Sequence, residues 1–432
     1  MPSRTDVRLN VLVHALPDPN GKLVSVVWLT RSLLNMLEII QQEGLGIRLH
    51  CLIEPEFVDL DHTWNQQLQD EGLELHALPQ NPGGDSSRRQ AARCLRGQWH
   101  YPFLALRERR ALRAIGYFAK RYEFLRQLVS PGEPWLIHSH TPDFGMEEVL
   151  ALRKSRGVPV MLTFHGEGQR RMMDGEKRAY WDPKYERRYR RLLPHLDRVV
   201  FISEDYRNNM SYLGIPREKT RVVHNGVAPD EFFPLAGEPQ AGPLRVLCFS
   251  DLDARPLRGL HYVIAAAPEI VRAHPAIRFT VLFGRNSRQY VDNVGSSPMG
   301  RLAAELGVAE HFEFVPWVEP GEMNRFVNEH DLLLHPTFAD TCSNFILEGM
   351  ACGKPVIASR GCANDEFVSE ENGILVDYSS LRQDIVRAVL QLAGSPQLRA
   401  QLGAAGKRRV IAYFNRQRQS RDYLALYREW GA

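Results

Sequence analysis

Residues 336–366 read PTFADTCSNFILEGMACGKPVIASRGCANDE, and this stretch contains the signals that predict the fold. It follows the apolar run Leu332–Leu334 and passes through a polar turn into a segment with apolar residues at helical spacing. Gly353 can end that helix in a left-handed conformation, and Pro355 cannot continue it. Val356–Ala358 then begins another apolar strand. The stretch therefore predicts a strand–loop–helix–strand unit of a parallel sheet.

The loop and the first turn of this helix carry polar groups that suit a phosphate-containing ligand. The first N–H groups of a helix have no partner within it, and the helix dipole places positive charge there. Asp340 precedes the helix start, and Glu348 lies eight residues later. With about 1.5 Å of rise per helical residue, the two carboxylates cannot share one small ion but can contact opposite ends of a long ligand. The N–H groups at the helix start belong to Ser343, Asn344, Phe345 and Ile346.

The spacing of Asp340 and Glu348 resembles the signature of the retaining glycosyltransferases of family 4, in which an acid, seven residues and a glutamate bind a nucleotide sugar. The resemblance implies that Asp340 contacts the donor sugar, that Glu348 contacts the ribose hydroxyls, and that the helix start binds the diphosphate. It also implies a GT-B fold, with two Rossmann-like, doubly wound parallel-sheet domains facing a cleft. Neither a metal nor a cofactor is expected. The family usually has glutamate where Asp340 stands, so the placement of the donor sugar is left open.

The first half of the chain alternates predicted strands and helices, as a parallel α/β domain does. A strand from Val7 to Ala15, a loop containing Gly21 and an amphipathic helix from Val24 to Gln42 open it. Gly21 either lets the main chain approach a ligand or only turns the chain. Further strands are predicted at Ile47–Glu54, Leu73–Leu78, Trp135–His138, Val158–Thr163, Asp197–Glu204 and Thr220–Val227, and helical segments within Arg88–Leu128 and at Glu147–Arg156.

Two histidines, His140 and His165, follow predicted strands in this half. Parallel sheets bind ligands at the carboxyl ends of their strands, so both residues are candidates for the site. Residues 163–166, TFHG, resemble the T-x-H-G pattern of the family, which implies that His165 lies against the donor sugar. A histidine at a strand end can equally have a structural role. His140 is the weaker candidate and is interpreted mainly as orienting the neighbouring loop.

A stretch rich in glycine and proline, LAGEPQAGP at residues 235–243, predicts the boundary between two domains. We expect residues 1–235 to form an acceptor-binding domain and residues 236–413 a nucleotide-sugar-binding domain. Residues 414–432 are amphipathic, and the resemblance implies that this last helix returns to the first domain.

The loop after the first strand of the second domain departs from the family pattern. The family usually has an arginine and a lysine there, which bind the donor diphosphate. Here Asp251 replaces the arginine, and Arg258 stands at the second position. Arg255 or Arg258 can supply the phosphate contact because arginine binds phosphate with two parallel hydrogen bonds, although both can also be ordinary loop residues. Gly284, at the end of the next strand, is expected near the site, and the acidic pair at residues 251–253 is a weaker alternative as a divalent-ion site.

The composition is that of a globular protein, with 44% hydrophobic and 24% charged residues among 432. A chain of this length usually folds as more than one domain. The six cysteines form no C-x-x-C pair, so neither a disulfide framework nor a zinc site of cysteines is predicted. Because no apolar run is long enough to span a bilayer and the start does not resemble a secretory signal, we expect a cytoplasmic location.

A basic tract at residues 88–126 contains eleven arginines and lysines against two glutamates, a net charge of 11 − 2 = +9, with aromatic residues between them. Such a tract can dock a domain on the cytoplasmic face of an anionic membrane or bind an anionic, lipid-linked acceptor. It can also be a solvated helix surface. No nucleic-acid-binding module is found, so a nucleic-acid partner is not expected.

Together these features predict an enzyme that moves a sugar from a nucleotide diphosphate sugar to a glycan, lipid-linked or small-molecule acceptor with retention of anomeric configuration, as in polysaccharide biosynthesis. Two alternatives stay open: a nucleotide-sugar epimerase or hydrolase, and a catalytically weak sugar-nucleotide-binding subunit. The donor base, the sugar and the acceptor are not indicated by the residues.

Overall fold

The computed structural model describes most of the chain, with gaps. The residues described are 9–14, 23–53, 69–70, 72–79, 112–140, 146–166, 172–173, 176–179, 183–235, 242–250, 258–283 and 297–431.

Seven parallel strands form the first sheet, in the order β3-β2-β1-β4-β5-β8-β9. Apolar side chains bury both faces of such a sheet, which explains the nearly continuous apolar runs in the sequence. Its strands are β1 Leu9–His14, β2 Ile47–Ile53, β3 Glu74–Ala77, β4 Trp135–Ser139, β5 Val160–Phe164, β8 Arg198–Phe201 and β9 Thr220–Val222. A separate antiparallel pair consists of β6 Met172–Met173 and β7 Glu176–Ala179.

Six parallel strands form the second sheet, in the order β12-β11-β10-β13-β14-β15. The strands are β10 Arg245–Ser250, β11 Arg278–Phe283, β12 Phe312–Val315, β13 Leu332–His335, β14 Val356–Ser359 and β15 Gly373–Val376. The strand order reverses between β10 and β13, so the loops that follow these two strands lie side by side. The predicted fold class, two doubly wound parallel-sheet domains, is confirmed.

Helices connect the strands in both halves. In the first half they are α1 Leu23–Glu43, α2 Leu112–Leu128, α3 Met146–Arg156, α4 Pro183–Leu192 and α5 Glu204–Asn209. In the second half they are α6 Leu260–Ala273, α7 Pro298–Glu305, α8 Met323–Asn328, α9 Asn344–Ala351, α10 Asn364–Phe367, α11 Leu381–Ala393, α12 Pro396–Tyr413 and α13 Arg416–Arg428.

The last helix, α13, packs on the first sheet rather than on the second. Its apolar face joins a buried cluster with α1 and with strands β1 and β2, and both Tyr423 and Tyr427 are fully buried there. A hydrogen bond of 2.7 Å connects the Tyr427 hydroxyl with Nδ1 of His138. The chain therefore crosses from the second sheet back to the first at its C-terminal end.

Two predicted strands are shorter than the sequence suggested. The strand expected at Asp197–Glu204 ends at Phe201, because Ser203 caps α5 by accepting a hydrogen bond from the N–H of Tyr206. The strand expected at Thr220–Val227 ends at Val222. Val227 instead pairs with Asn415 in the segment that crosses between the sheets.

The described cysteines, which exclude Cys94, are free thiols. Among the described helices, none combines the length and the apolar character that crossing a bilayer requires.

Candidate active site

The unit that opened the sequence analysis forms as a strand, a loop and a helix, β13 to α9. Gly353 ends α9 with a φ of +72°, the left-handed conformation that the sequence predicted. Ser343 is the N-cap, and its hydroxyl lies 3.5 Å from the N–H of Ile346. Within the described residues no acceptor is found for the N–H groups of Asn344 and Phe345. Two of the four predicted amide donors are thus available to an anion, and that of Ile346 is already near the cap hydroxyl.

Asp340 lies in the loop before this helix and is held by three neighbours. Its Oδ2 accepts hydrogen bonds from Arg258 at 2.8 Å and lies 3.1 Å from Nε2 of the fully buried His335, while its Oδ1 accepts from the N–H of Thr341. Burial alone would raise the pKa of Asp340, but the Arg258 guanidinium and the bonds from His335 and Thr341 hold that pKa well below its usual range. Asp340 is therefore ionised at neutral pH.

Arg258 comes from the loop after β10, which the strand order places beside the loop after β13. Its guanidinium lies 5.6 Å from the ring centroid of Phe249, in addition to its ion pair with Asp340. Side chains at both positions are less than one-quarter exposed. The predicted phosphate-binding arginine and the predicted donor-sugar acid are thus in direct contact.

Glu348 projects from α9 toward a group of charged residues at the junction of the two sheets. Burial, and then the nearby Glu231 carboxylate, raise the pKa of Glu348 to about 8, against the opposing effect of Arg416 and Arg31. Glu231 itself pairs with both arginines, at 2.7 Å from Arg416. Because those cations are already paired, Glu348 is largely protonated at pH 7 in the absence of ligand.

Three histidines of the first half form a connected group at the carboxyl ends of β4 and β5. Nδ1 of His140 lies 2.9 Å from Nε2 of His165, and Nε2 of His138 lies 2.8 Å from the hydroxyl of Thr163. Removal from water lowers the pKa of His165 to about 4, and burial followed by the charge of His165 lowers that of His138 to about 3. His165 is therefore neutral at pH 7 and oriented by His140.

Contacts between the two halves involve the histidine group and the start of α9. Tyr423 of α13 packs edge-on against His140, and burial, followed by smaller effects that include Cys342, raises the pKa of Tyr423. The side-chain amide of Asn225 donates to Oδ1 of Asn344 at 3.2 Å. The start of α9 therefore contacts the first half of the chain directly.

Sequence models of two related families match the chain. The one described as Glycosyltransferase Family 4 matches residues 62–231, and the one described as Glycosyl transferases group 1 matches residues 243–395. The chain belongs to the family 4 glycosyltransferases. It has the GT-B fold, as the resemblance in the sequence implied.

Curated relatives match parts of this glycosyltransferase. A D-inositol 3-phosphate glycosyltransferase of Segniliparus rotundus is 30% identical over 155 residues, which are 35% of this chain and 33% of that protein. A GDP-mannose-dependent alpha-(1-6)-phosphatidylinositol monomannoside mannosyltransferase of Mycolicibacterium smegmatis is 27% identical over 237 residues, which are 50% of this chain and 58% of that protein. The match thus spans about a third of the first relative and little more than half of the second.

A solved structure matches this glycosyltransferase over nearly its whole length. HepE from Anabaena, crystallised in complex with UDP, superposes with a TM-score of 0.65 at 15% identity. The superposition covers 98% of this chain and 99% of that one. At this identity the match supports the fold.

Several predicted site residues of the glycosyltransferase fall outside the described residues. These are Gly21, Arg255 and Gly284, together with the acidic pair at 251–253 and residues 88–111 of the basic tract. Within the described part of that tract, the burial of Arg121 shows that this residue is not part of a basic surface. It is 4% exposed and lies 3.6 Å from Glu148, because the fold buries this face of α2 against α3.

The sequence analysis did not nominate two side chains, one beside Asp340 and one that joins the two halves of the chain. His335 ends β13 and contacts Asp340, and its position after three leucines was a signal of the same kind that singled out His165. Glu366 accepts hydrogen bonds from the N–H groups of Glu204 and Asp205 and lies 2.6 Å from His224. That carboxylate joins the second half to the start of α5, and no local pattern predicts a contact across the domains.

Proposed function

We propose that this glycosyltransferase transfers a hexosyl group from a nucleotide diphosphate sugar with retention of anomeric configuration. The observation that carries the proposal is the contact between Arg258 and Asp340 beside the open N-terminus of α9. The α9 amides and Arg258 supply positive charge for the diphosphate, and Asp340 lies next to them for a sugar hydroxyl. HepE from Anabaena, which has the same fold, was crystallised with UDP, and this supports a nucleotide ligand.

The proposed mechanism rests on stabilising the diphosphate as it leaves the sugar. As the bond between the sugar and the diphosphate breaks, negative charge grows on the leaving oxygen. Arg258, fixed by Asp340 and Phe249, and the N–H groups of Asn344 and Phe345 are oriented before the reaction and stabilise that charge. No metal and no covalent nucleophile are assigned to this step.

Three further side chains are assigned to the donor and the acceptor. Glu348 binds the ribose hydroxyls as an ionised carboxylate that accepts with both oxygens, so donor binding removes the proton that it carries at pH 7. His165, kept neutral and oriented by His140, contacts the donor sugar and hydrogen-bonds a hydroxyl without bringing a charge to the reacting centre. Gly21, Arg255 and Gly284 are proposed to line the same cleft.

A thermal-shift screen against UDP, GDP, ADP and their sugars tests the donor site. We expect stabilisation by one base, lost in Glu348→Ala and kept in Glu371→Ala, since Glu371 is an exposed carboxylate in a turn. No shift with any nucleotide would overturn the proposal. The anomeric configuration of the product, read by NMR, tests retention. Conversion of the donor without an acceptor would instead indicate an epimerase or a hydrolase.

For the acceptor, we propose a lipid-linked glycan at the cytoplasmic face of a membrane, in cell-surface polysaccharide biosynthesis. The relative from M. smegmatis carries a phosphatidylinositol-linked acceptor in its name, which supports a lipid-linked class. The basic residues at 107, 109, 110 and 113 would contact anionic lipid. Their reversal to glutamate should abolish co-sedimentation with anionic vesicles at moderate salt, and unchanged binding would refute the docking role.

A further inference from the structure

A cluster of two histidines and a glutamate lies at the edge of the first sheet, on β2 and β3. The parallel register places Glu74 beside His50, and His76 follows on the same edge strand. Nδ1 of His50 lies 3.0 Å from Nε2 of His76 and 3.2 Å from Oε2 of Glu74. All three ligand atoms lie within 4.8 Å of one another. Three groups that bind transition metals therefore converge on one point.

Asn10 determines which nitrogen of the neutral His50 ring carries the proton. Its side-chain nitrogen lies 3.3 Å from a carboxylate oxygen of Glu133 and 3.4 Å from the carbonyl of Pro134, which are both acceptors. Its Oδ1 is therefore turned to His50, where Nε2 lies 3.2 Å away and must donate. In the neutral ring, the lone pair then stands on Nδ1. Metal-binding histidines are commonly oriented in this way by a second hydrogen bond.

The contact between His50 and Glu74 joins two acceptors. A carboxylate oxygen only accepts, and Nδ1 of this tautomer also accepts, so no hydrogen bond holds these atoms at 3.2 Å and a cation between them would stabilise the contact. Zinc bound tetrahedrally, with bonds of about 2.0–2.1 Å to nitrogen and oxygen, separates its ligand atoms by about 3.3 Å. The distances of 3.0 and 3.2 Å are close to that value. A metal ion satisfies all three groups with small movements.

We propose that His50, Glu74 and His76 bind a divalent transition metal, with zinc as the expected ion. Glu74 is 46% exposed and its other oxygen lies 3.4 Å from Arg48, so Oε2 is the ligand atom and water can complete the coordination. The site is separate from the donor site, because β2 and β3 lie on the far side of β1 from the strands that carry His140 and His165. The ion joins the short edge strand β3 to β2.

Cobalt titration of the untagged, metal-free full chain tests the site, because four-coordinate Co²⁺ has a visible absorption band that unbound Co²⁺ lacks. We expect the band to saturate at one Co²⁺ per chain and to disappear when Zn²⁺ is added. Glu74 is exposed and His76 is half-buried on the edge strand, so Glu74→Ala and His76→Ala should fold normally and lose the band. His195→Ala removes an exposed histidine elsewhere and should keep it.

Zinc affinity, measured by competition with a chelator, should fall at least 10-fold in His76→Ala. Replacing residues that only hydrogen-bond to metal ligands already lowers metal affinity by about 10-fold or more. The donor-dependent thermal shift should stay unchanged in that variant, which separates this proposal from the proposed function. Absence of the band in the unaltered chain, or equal metal binding by the unaltered chain and His76→Ala, would overturn the proposal. In that case His50 and His76 are joined only by a hydrogen bond.

Discussion

The ionisation of Glu348 makes donor binding depend on pH in a way that one substitution should remove. Burial and the Glu231 carboxylate raise the pKa of Glu348 to about 8, so about nine-tenths of the ligand-free molecules carry a proton there at pH 7. If Glu348 accepts hydrogen bonds from both ribose hydroxyls, it must be ionised in the complex. Binding then releases a proton, and the affinity rises with pH until Glu348 is ionised without ligand.

The size of the effect follows from the same pKa. The ionised fraction without ligand is about 1% at pH 6 and about three-quarters at pH 8.5 for a pKa near 8. The affinity for a nucleotide sugar should therefore increase about 80-fold over this range, which corresponds to about 2.6 kcal/mol. Glu348→Gln cannot ionise, so it should bind more weakly and with an affinity that stays flat over the range.

Isothermal titration calorimetry measures both the affinity and the proton release. At pH 7, titrations in two buffers of different ionisation enthalpy should differ by the heat of about 0.9 proton per bound nucleotide sugar. A nucleotide sugar is preferable to a free diphosphate, whose own ionisation near neutral pH would add protons. Glu371→Gln, which replaces an exposed carboxylate, should behave as the unaltered chain does. Equal pH slopes for the unaltered chain and Glu348→Gln, or a heat independent of the buffer, would refute the reasoning.

Three more predictions concern the ion pair, the contact between domains and the packing of α9. Arg258→Ala and Asp340→Asn should be non-additive in nucleotide-sugar affinity, with a coupling of about 0.5–3 kcal/mol in a double-mutant cycle, and additive losses would contradict a shared role. Burial raises the pKa of Glu366, but the hydrogen bonds from His224 and from the N–H groups of α5 lower it below 4.5 overall. The ionised carboxylate therefore stabilises the folded protein fully above pH 4.5, and this stabilisation is lost as the pH falls through the lower pKa of the folded state. Glu366→Gln should accordingly lower the melting temperature more at pH 6 than at pH 3, and an equal difference at both pH values would exclude this ionisation. Gly403→Ala should destabilise the protein by about 1–3 kcal/mol in thermal unfolding, because an added Cβ would lie 2.0 Å from the carbonyl oxygen of Gly353. Gly321 has open space around it, so Gly321→Ala should leave the stability unchanged.

Local pattern was sufficient to predict most of the strands and helices. The helix predicted at Val24–Gln42 is observed at Leu23–Glu43, and Gly353 has the predicted left-handed conformation. Errors occur where a distant contact ends an element. Val227 leaves the first sheet to pair with Asn415, and the close approach of Gly226 to that residue, where a Cβ would lie 2.4 Å from a carbonyl oxygen, depends on the whole tertiary structure.

The sequence nominated the residues of one motif but not their partners. Asp340 and Glu348 were predicted as site residues from their spacing along the chain. Burial and Glu231 raise the pKa of Glu348, while Arg416 and Arg31 oppose that rise. These three neighbours lie in distant segments, so no local pattern indicates the shift. The cluster of His50, Glu74 and His76 depends on the register between two strands in the same way.

The two departures from the family pattern are connected by the order of strands in the second sheet. The family's arginine after β10 is absent, and its glutamate after β13 is an aspartate in this chain, Asp340. Because β10 and β13 are neighbours, Arg258 reaches that aspartate and is held against Phe249. His335 and Thr341 fix the Asp340 carboxylate, which in turn limits the positions of the Arg258 guanidinium. Arg258 therefore loses less conformational entropy on binding phosphate than an unpaired loop arginine would. We propose that the orientation of Arg258 offsets the loss of the other cation, and this favours a working donor site over a degenerate one.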